Sequence, residues 1–219
     1  IDQDLGFRNL EQPVPIQVAA NGPKALRLAG VYGDALVSAF NEQPEYLKYH
    51  MGMVQEGASE VGRELPSDFH TATLTTVAVL KPGESATSER VVEQCGAWTA
   101  AILHFVYENY RYTKNEEVVP EFFQNVWDEY CDHVNKMDCP EDERHLRIHK
   151  GHCSYYPPDE RRFLTDETIR GVCMVGEPKE IAEKLRAAES GGLNEFSILP
   201  SLSSVREVMR DFVEVMKIL

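Results

Sequence analysis

The sequence lacks any apolar run near the ~20 residues needed to span a bilayer. It also lacks a basic-then-apolar opening, so no secretory leader is expected. Basic residues are scarce: 22 Lys and Arg stand against 36 Asp and Glu, a formal net charge of -14. So acidic a surface disfavours nucleic-acid and anionic-membrane partners. The five cysteines, Cys95, Cys131, Cys139, Cys153 and Cys173, are odd in number and contain no CxxC. This argues against a disulfide framework and for reduced thiols in a cytoplasmic protein. No Gly/Ser linker and no internal repeat divides the chain. A single domain over residues 1–219 is therefore expected.

With 42% hydrophobic residues in 219, the chain is long enough for one sizeable core. "PIQVAA" at 15–20 reads as a short apolar strand. Pro23 suits the first turn of a helix, where no amide donor is required. Ala25, Leu26, Leu28 and Ala29 give that helix an apolar face, and Gly30 and Gly33 are expected to end it. Residues 34–40 form a second strand, and Pro44 to about Gly62 recurs at helical spacing. "FHTATLTTVAVL" at 69–80, rich in Thr and Val, reads as one long strand. A helix from Glu84 to about Tyr110 follows, with Ser85 or Thr87 as cap. Its apolar centre suits either a core helix or a dimer face. Further helices are expected from Pro120 to about Val134, over 165–172, from 178 to Gly191-Gly192, and from Val205 to Leu219. "NEFSILP" reads as the fourth strand. Strands alternating with helices imply a parallel sheet with right-handed crossovers. Four such strands suit an open sheet or half of an eight-stranded barrel.

The turn Ala19-Ala20-Asn21-Gly22-Pro23 is the first candidate site. Small side chains let a ligand approach the backbone, and Asn-Gly tolerates unusual angles. The helix that follows aims free amides and its positive dipole end at the turn, a geometry that suits phosphate. An ordinary strand-to-helix connection has the same spacing. "VGEPKE" at 175–180 has a similar outline, but Glu177 and Glu180 suit a helix start better than an anion. His145, His149, His152 and Cys153 match no common zinc spacing, and no metal is expected. His70, at the start of its strand, reads as structural.

"PVPIQVAANGPKALRLAGVYGDALV" and "VGEPKEIAEKLRAAESGGLNEFSILP" resemble the luciferase-like monooxygenase superfamily. Between them, "HLRIHKGHCSYYPPDERRFLTDETIR" is similar to its coenzyme F-420 branch. The resemblance implies an α/β fold, the TIM (β/α)8 barrel. This chain would supply the C-terminal half, four βα units plus a helical insertion at about 84–150. Strands one to four, with the usual catalytic positions, would precede Ile1, so a missing N-terminal half-barrel is implied. The implied activity is coenzyme F-420-dependent hydride transfer to or from a small organic substrate, in the manner of methylenetetrahydromethanopterin reductase. An FMN-dependent monooxygenase is the alternative, and a non-catalytic half-barrel dimerisation module is a third reading. The resemblance also implies a homodimer. It assigns Ala19, Ala20, Asn21, Gly22 and Pro23 to the cofactor's phosphate. Loops at the C-terminal ends of barrel strands carry the chemistry of that fold, which makes His152 a candidate for the substrate mouth.

Overall fold

The computed structural model describes residues 14–40 and 42–219; residues 1–13 and Asn41 lie outside that description. β1 (Gln17–Ala19) leads through α1 (Pro23–Tyr32) to β2 (Ala35–Ser38). The two strands pair in parallel, Gln17 beside Ala35 and Ala19 beside Val37. α2 (Pro44–Glu60) returns the chain to β3 (His70–Thr75), which lies parallel to β2 with Ser38 beside Thr73. β6 (Glu195–Ile198) follows β3 in the order β1-β2-β3-β6. Parallel neighbours joined by helices are the repeating unit of the α/β barrel class.

The chain sorts into two compact units where one domain was expected. The first holds residues 14–74 and 187–197 of the described chain. Its core gathers Ala20, Leu26, Ala29, Leu36, Val54 and Phe69. Leu26, Leu36 and Val54 are fully buried, and burial of such a side chain contributes roughly 1.5–3 kcal/mol. Gly30 does not end α1. It sits inside the helix, where an added Cβ would lie 1.9 Å from Val54 O. Gly57 of α2 meets Arg27 O in the same way, so α1 and α2 cross with their backbones in contact.

The second unit holds 75–186 and 198–219. The expected strand 69–80 breaks at Thr76 into β3 and β4 (Val77–Val79). The cause is a change of partner: Thr75 O accepts from Leu199 N, whereas Thr76 O accepts from Met174 N. β4 then pairs in parallel with β5 (Met174–Gly176), a strand too short to show in the sequence pattern. α3 (Glu89–Thr113) is capped by Ser88, not Ser85 or Thr87; its side chain accepts from Val91 N. The apolar centre of α3 is core: Val91, Val92, Cys95, Leu103, Val106 and Tyr107 pack with Phe123, Trp127, Tyr130 and Phe163. α4 (Gln124–Asn135) and α5 (Arg144–Ile148) complete the helical insertion. α6 (Asp166–Val172) opens on a reciprocal Thr165–Thr168 capping box. α7 (Pro178–Ser190) and the terminal α8 (Val205–Met216) end the order.

Arg90 ties this unit together. Its guanidinium donates to Glu84, to Asp211 on α8 at 2.9 Å and to Val79 O at 2.9 Å. That contact, with other hydrogen bonds, holds the Glu84 carboxyl at about 2. All five cysteines are free. Among the described residues no helix is long and apolar enough to cross a membrane.

Candidate functional site

The turn after β1 is built from both of its ends. Ala20 N donates to Val37 O at 3.0 Å, which carries the β1–β2 ladder one residue past the strand. Asn21 Oδ1 accepts from Ser38 Oγ at 2.6 Å and from Ala39 N at 2.9 Å. The asparagine therefore clips the turn to the end of β2. Gly22 lies at φ -89° and ψ 153°, ordinary extended backbone, so the left-handed freedom of Asn-Gly is not used. What the glycine contributes is space: nothing lies within 4 Å of the position its Cβ would occupy. Asn21, Gly22 and Pro23 are exposed, as is Lys24.

The start of α1 leaves donors unspent. Pro23 has no amide, and Leu26 N makes the first helical bond, to Gly22 O at 2.9 Å. The amides of Lys24 and Ala25 precede that bond. No side chain caps this end and its first turn holds no acid. At α7, by contrast, Glu180 Oε2 accepts from Glu177 N at 2.8 Å, so the helix's own carboxylate takes the place an anion would fill. The "VGEPKE" segment is thus a self-capped helix start, and the 19–23 turn is an open one.

A second group of residues, unmarked in the sequence, stands at the same strand ends. Ser38, the last residue of β2, is the register partner of Thr73 inside β3, and both are buried. Thr73 Oγ1 donates to Glu42 Oε2 at 2.5 Å. Glu42 is only 8% exposed. Burial pushes its carboxyl above the usual range, against the lowering effect of the Thr73 hydrogen bond. The chain reaches Glu42 through Phe40, whose φ of 65° is left-handed and rare for a bulky side chain. Asn21–Ser38 and Thr73–Glu42 are thus two hydrogen-bonded polar pairs related by the β2–β3 register. Only Asn21 was legible beforehand, because the other three carry no motif.

At the opposite end of β3, His70 Nε2 lies 3.0 Å from Glu195 Oε2. That fits the structural role expected of it. In the second unit His152 is exposed, and its ring meets His149 at 5.8 Å. His149 in turn stands edge-on to His104 at 5.6 Å, and His104 Nε2 lies 2.7 Å from Glu160 Oε2. His152, His149 and His104 are thus a string of rings leading to a buried His104–Glu160 pair. Among the described residues no group of three His, Cys, Asp or Glu side chains is disposed to hold a metal.

Parallel βα units, an uncapped turn at the strand ends and a buried carboxyl beside it bear on kinship. Residues 3–195 match the family of luciferase-like monooxygenases. The chain belongs to that family. This luciferase-like chain is 29% identical over 92 residues to an F-420-dependent glucose-6-phosphate dehydrogenase of Nakamurella multipartita, covering 42% of this chain and 25% of that protein. Among solved structures it is similar to a coenzyme F-420-dependent tetrahydromethanopterin reductase of Methanopyrus kandleri. There the TM-score is 0.51 at 17% identity, over 84% of this chain and 44% of that one. It is also similar to an F-420-dependent secondary alcohol dehydrogenase in complex with an F-420-acetone adduct. That match has a TM-score of 0.50 at 21% identity, over 95% of this chain and 51% of the other. The luciferase-like chain spans about half the length of these solved relatives. At such identities the likeness is one of fold, the (β/α)8 class expected from the sequence.

Proposed function

We propose that the chain forms the cofactor-tail-binding half of a coenzyme F-420-dependent oxidoreductase, with hydride transfer to or from a small organic substrate. The observation that carries this reading is the open start of α1, in a chain whose similar proteins are named for F-420. The residues fit a phosphate-bearing tail. Gly22 gives close approach, the Lys24 and Ala25 amides are the donors, and the uncompensated helix dipole favours negative charge. Ala19 and Ala20 keep the approach low, Pro23 fixes the first turn, and Asn21 holds the whole loop against β2. Bound there, the deazaflavin supplies the redox chemistry, while the protein orients it and excludes water.

The rest of the pocket comes from a further half-barrel or from a second copy of the chain. β1 supports this: it stands at one end of the sheet order and is preceded by Val14 and Ile16, which are 85% and 56% exposed. His152, expected at the substrate mouth, is an exposed residue of the second unit. The expected location is cytoplasmic.

Titration of the chain with F-420, followed by quenching of cofactor fluorescence, tests the reading. Saturable binding that FMN does not displace is the expected result. Tighter binding of FMN would favour the monooxygenase alternative. Binding of neither, also with an N-terminal half added, would favour a dimerisation module.

A further inference from the structure

We propose that the second unit carries a binding site for an α-amino acid with a bulky apolar side chain, in a cavity lined by α4, α5 and the short helical segment Pro158–Phe163. The proposal stands apart from the F-420 reading, since every residue it uses belongs to the second unit. The cavity has a volume of about 740 Å³, within the range of small-molecule sites. Two of its lining side chains are largely buried and hold unspent polar atoms. Glu160 is 1% exposed, and its Oε1 has no hydrogen-bond partner among the described residues. Its other oxygen lies 2.7 Å from His104 Nε2, which fixes the carboxyl's orientation. His133, with a side chain 12% exposed, has Arg162 Nη2 at 3.2 Å from its Nδ1. A guanidinium has donors only, so Nδ1 accepts and the ring's Nε2 carries the hydrogen. That N–H also lacks a hydrogen-bond partner among the described residues. Asp159 Oδ2, at 3.6 Å, is beyond hydrogen-bond reach.

A carboxyl acceptor and an imidazole donor in one cavity match the ammonium and carboxylate that an α-amino acid carries on a single carbon. Buried polar groups are rarely left without partners, so the two unspent atoms ask for such a ligand. The charges around them extend the match. Lys136 pairs with Asp132 at 2.9 Å, and Arg162 with Glu129 at 2.7 Å. Arg147 and Lys150 also line the cavity; both are exposed and without an ion pair among the described residues, against one unpaired acid, Asp138. Two unpaired cations in a chain of formal charge -14 are a local attraction for a carboxylate. Met137, Tyr155, Pro157 and Pro158 supply apolar wall for a large side chain. A zwitterion satisfies both signs of this lining. A simple anion would leave Glu160 unanswered, and a simple cation would leave Arg147 and Lys150 so.

Isothermal titration of the full chain with L-phenylalanine tests this, beside two analogues. One is 3-phenylpropanoate, which lacks the ammonium; the other is phenethylamine, which lacks the carboxylate. The expected result is saturable binding of L-phenylalanine, at least ~10-fold tighter than that of either analogue. Glu160→Gln should weaken L-phenylalanine at least ~10-fold without weakening 3-phenylpropanoate. The double variant Arg147→Ala, Lys150→Ala changes exposed positions only. It should weaken L-phenylalanine and 3-phenylpropanoate alike and leave phenethylamine unaffected. Should Glu160→Gln fail to fold, the double variant and the two analogues decide the matter. Absence of saturable L-phenylalanine binding, an analogue that binds as tightly as the amino acid, or a double variant with undiminished affinity would overturn the proposal.

Discussion

At the scale of single residues, the open turn makes separable demands on fold and ligand. Gly22 has extended angles and no neighbour within 4 Å of a Cβ, so Gly22→Val should leave stability within about 0.5 kcal/mol. The same side chain would stand where the proposed cofactor tail would approach. A melting temperature close to that of the natural chain, with F-420 affinity lowered at least about tenfold, is the expected pair of results. The buried pair His104 and Glu160 has the reverse character. Both are at most 2% exposed, and His104 Nδ1 and Glu160 Oε1 have no hydrogen-bond partner. His104→Ala would strand a buried carboxyl, and urea unfolding should show a loss of roughly 3–5 kcal/mol. The turn was legible because Asn-Gly-Pro after an apolar strand is a local signal. Glu42 was not, because it is one acid among 36 and its partner Thr73 lies 31 residues on (73 minus 42).

At the scale of elements, the helix pair α1 and α2 depends on its glycines. In an isolated helix Gly30→Ala would gain about 1 kcal/mol from propensity. Here the methyl group would stand 1.9 Å from Val54 O, a contact that only separation of the helices can relieve. We expect Gly30→Ala to destabilise the first unit by roughly 1–3 kcal/mol, read as a lower urea midpoint. The sequence suggested the opposite role for Gly30, a helix end, since nothing in α1 alone reveals which partner it will meet. The long strand at 69–80 erred for a related reason. Thr and Val promise extended backbone over the whole run, but pairing decides where a strand stops, and Thr75 and Thr76 pair with different segments. Elements set by period and punctuation, such as α2 from Pro44 and α7 from Pro178, were readable to within a residue or two at their starts.

At the scale of the whole molecule, acidity and burial set the response to pH. The Glu84 carboxyl, at about 2 against 4.5 unperturbed, binds its proton more weakly folded than unfolded. Its contribution is therefore present above pH 4.5 and lost as pH falls toward about 2. His149 is also lowered, by burial first and by His104 next, while Glu108 opposes. Its sign is the same: stability is full above about pH 6.5, the unperturbed value, and declines as pH falls below it. Thermal melts should show two descending steps, the upper one absent in His149→Gln. Asn21 carries a slower consequence. Asn-Gly is the dipeptide most prone to lose its side-chain amide through a cyclic imide, since glycine does not shield the attacking nitrogen. The side-chain bonds of Asn21 to Ser38 and Ala39 are accepted by its oxygen, so an aspartate formed there can keep them, whereas the isoaspartate that the imide also yields lengthens the backbone and pulls the clip from β2. Either product would set a permanent negative charge at the turn proposed to hold a phosphate. On the proposed reading, aged protein should bind F-420 more weakly in step with the fraction converted at Asn21, a molecular clock that can be read by peptide mass against age.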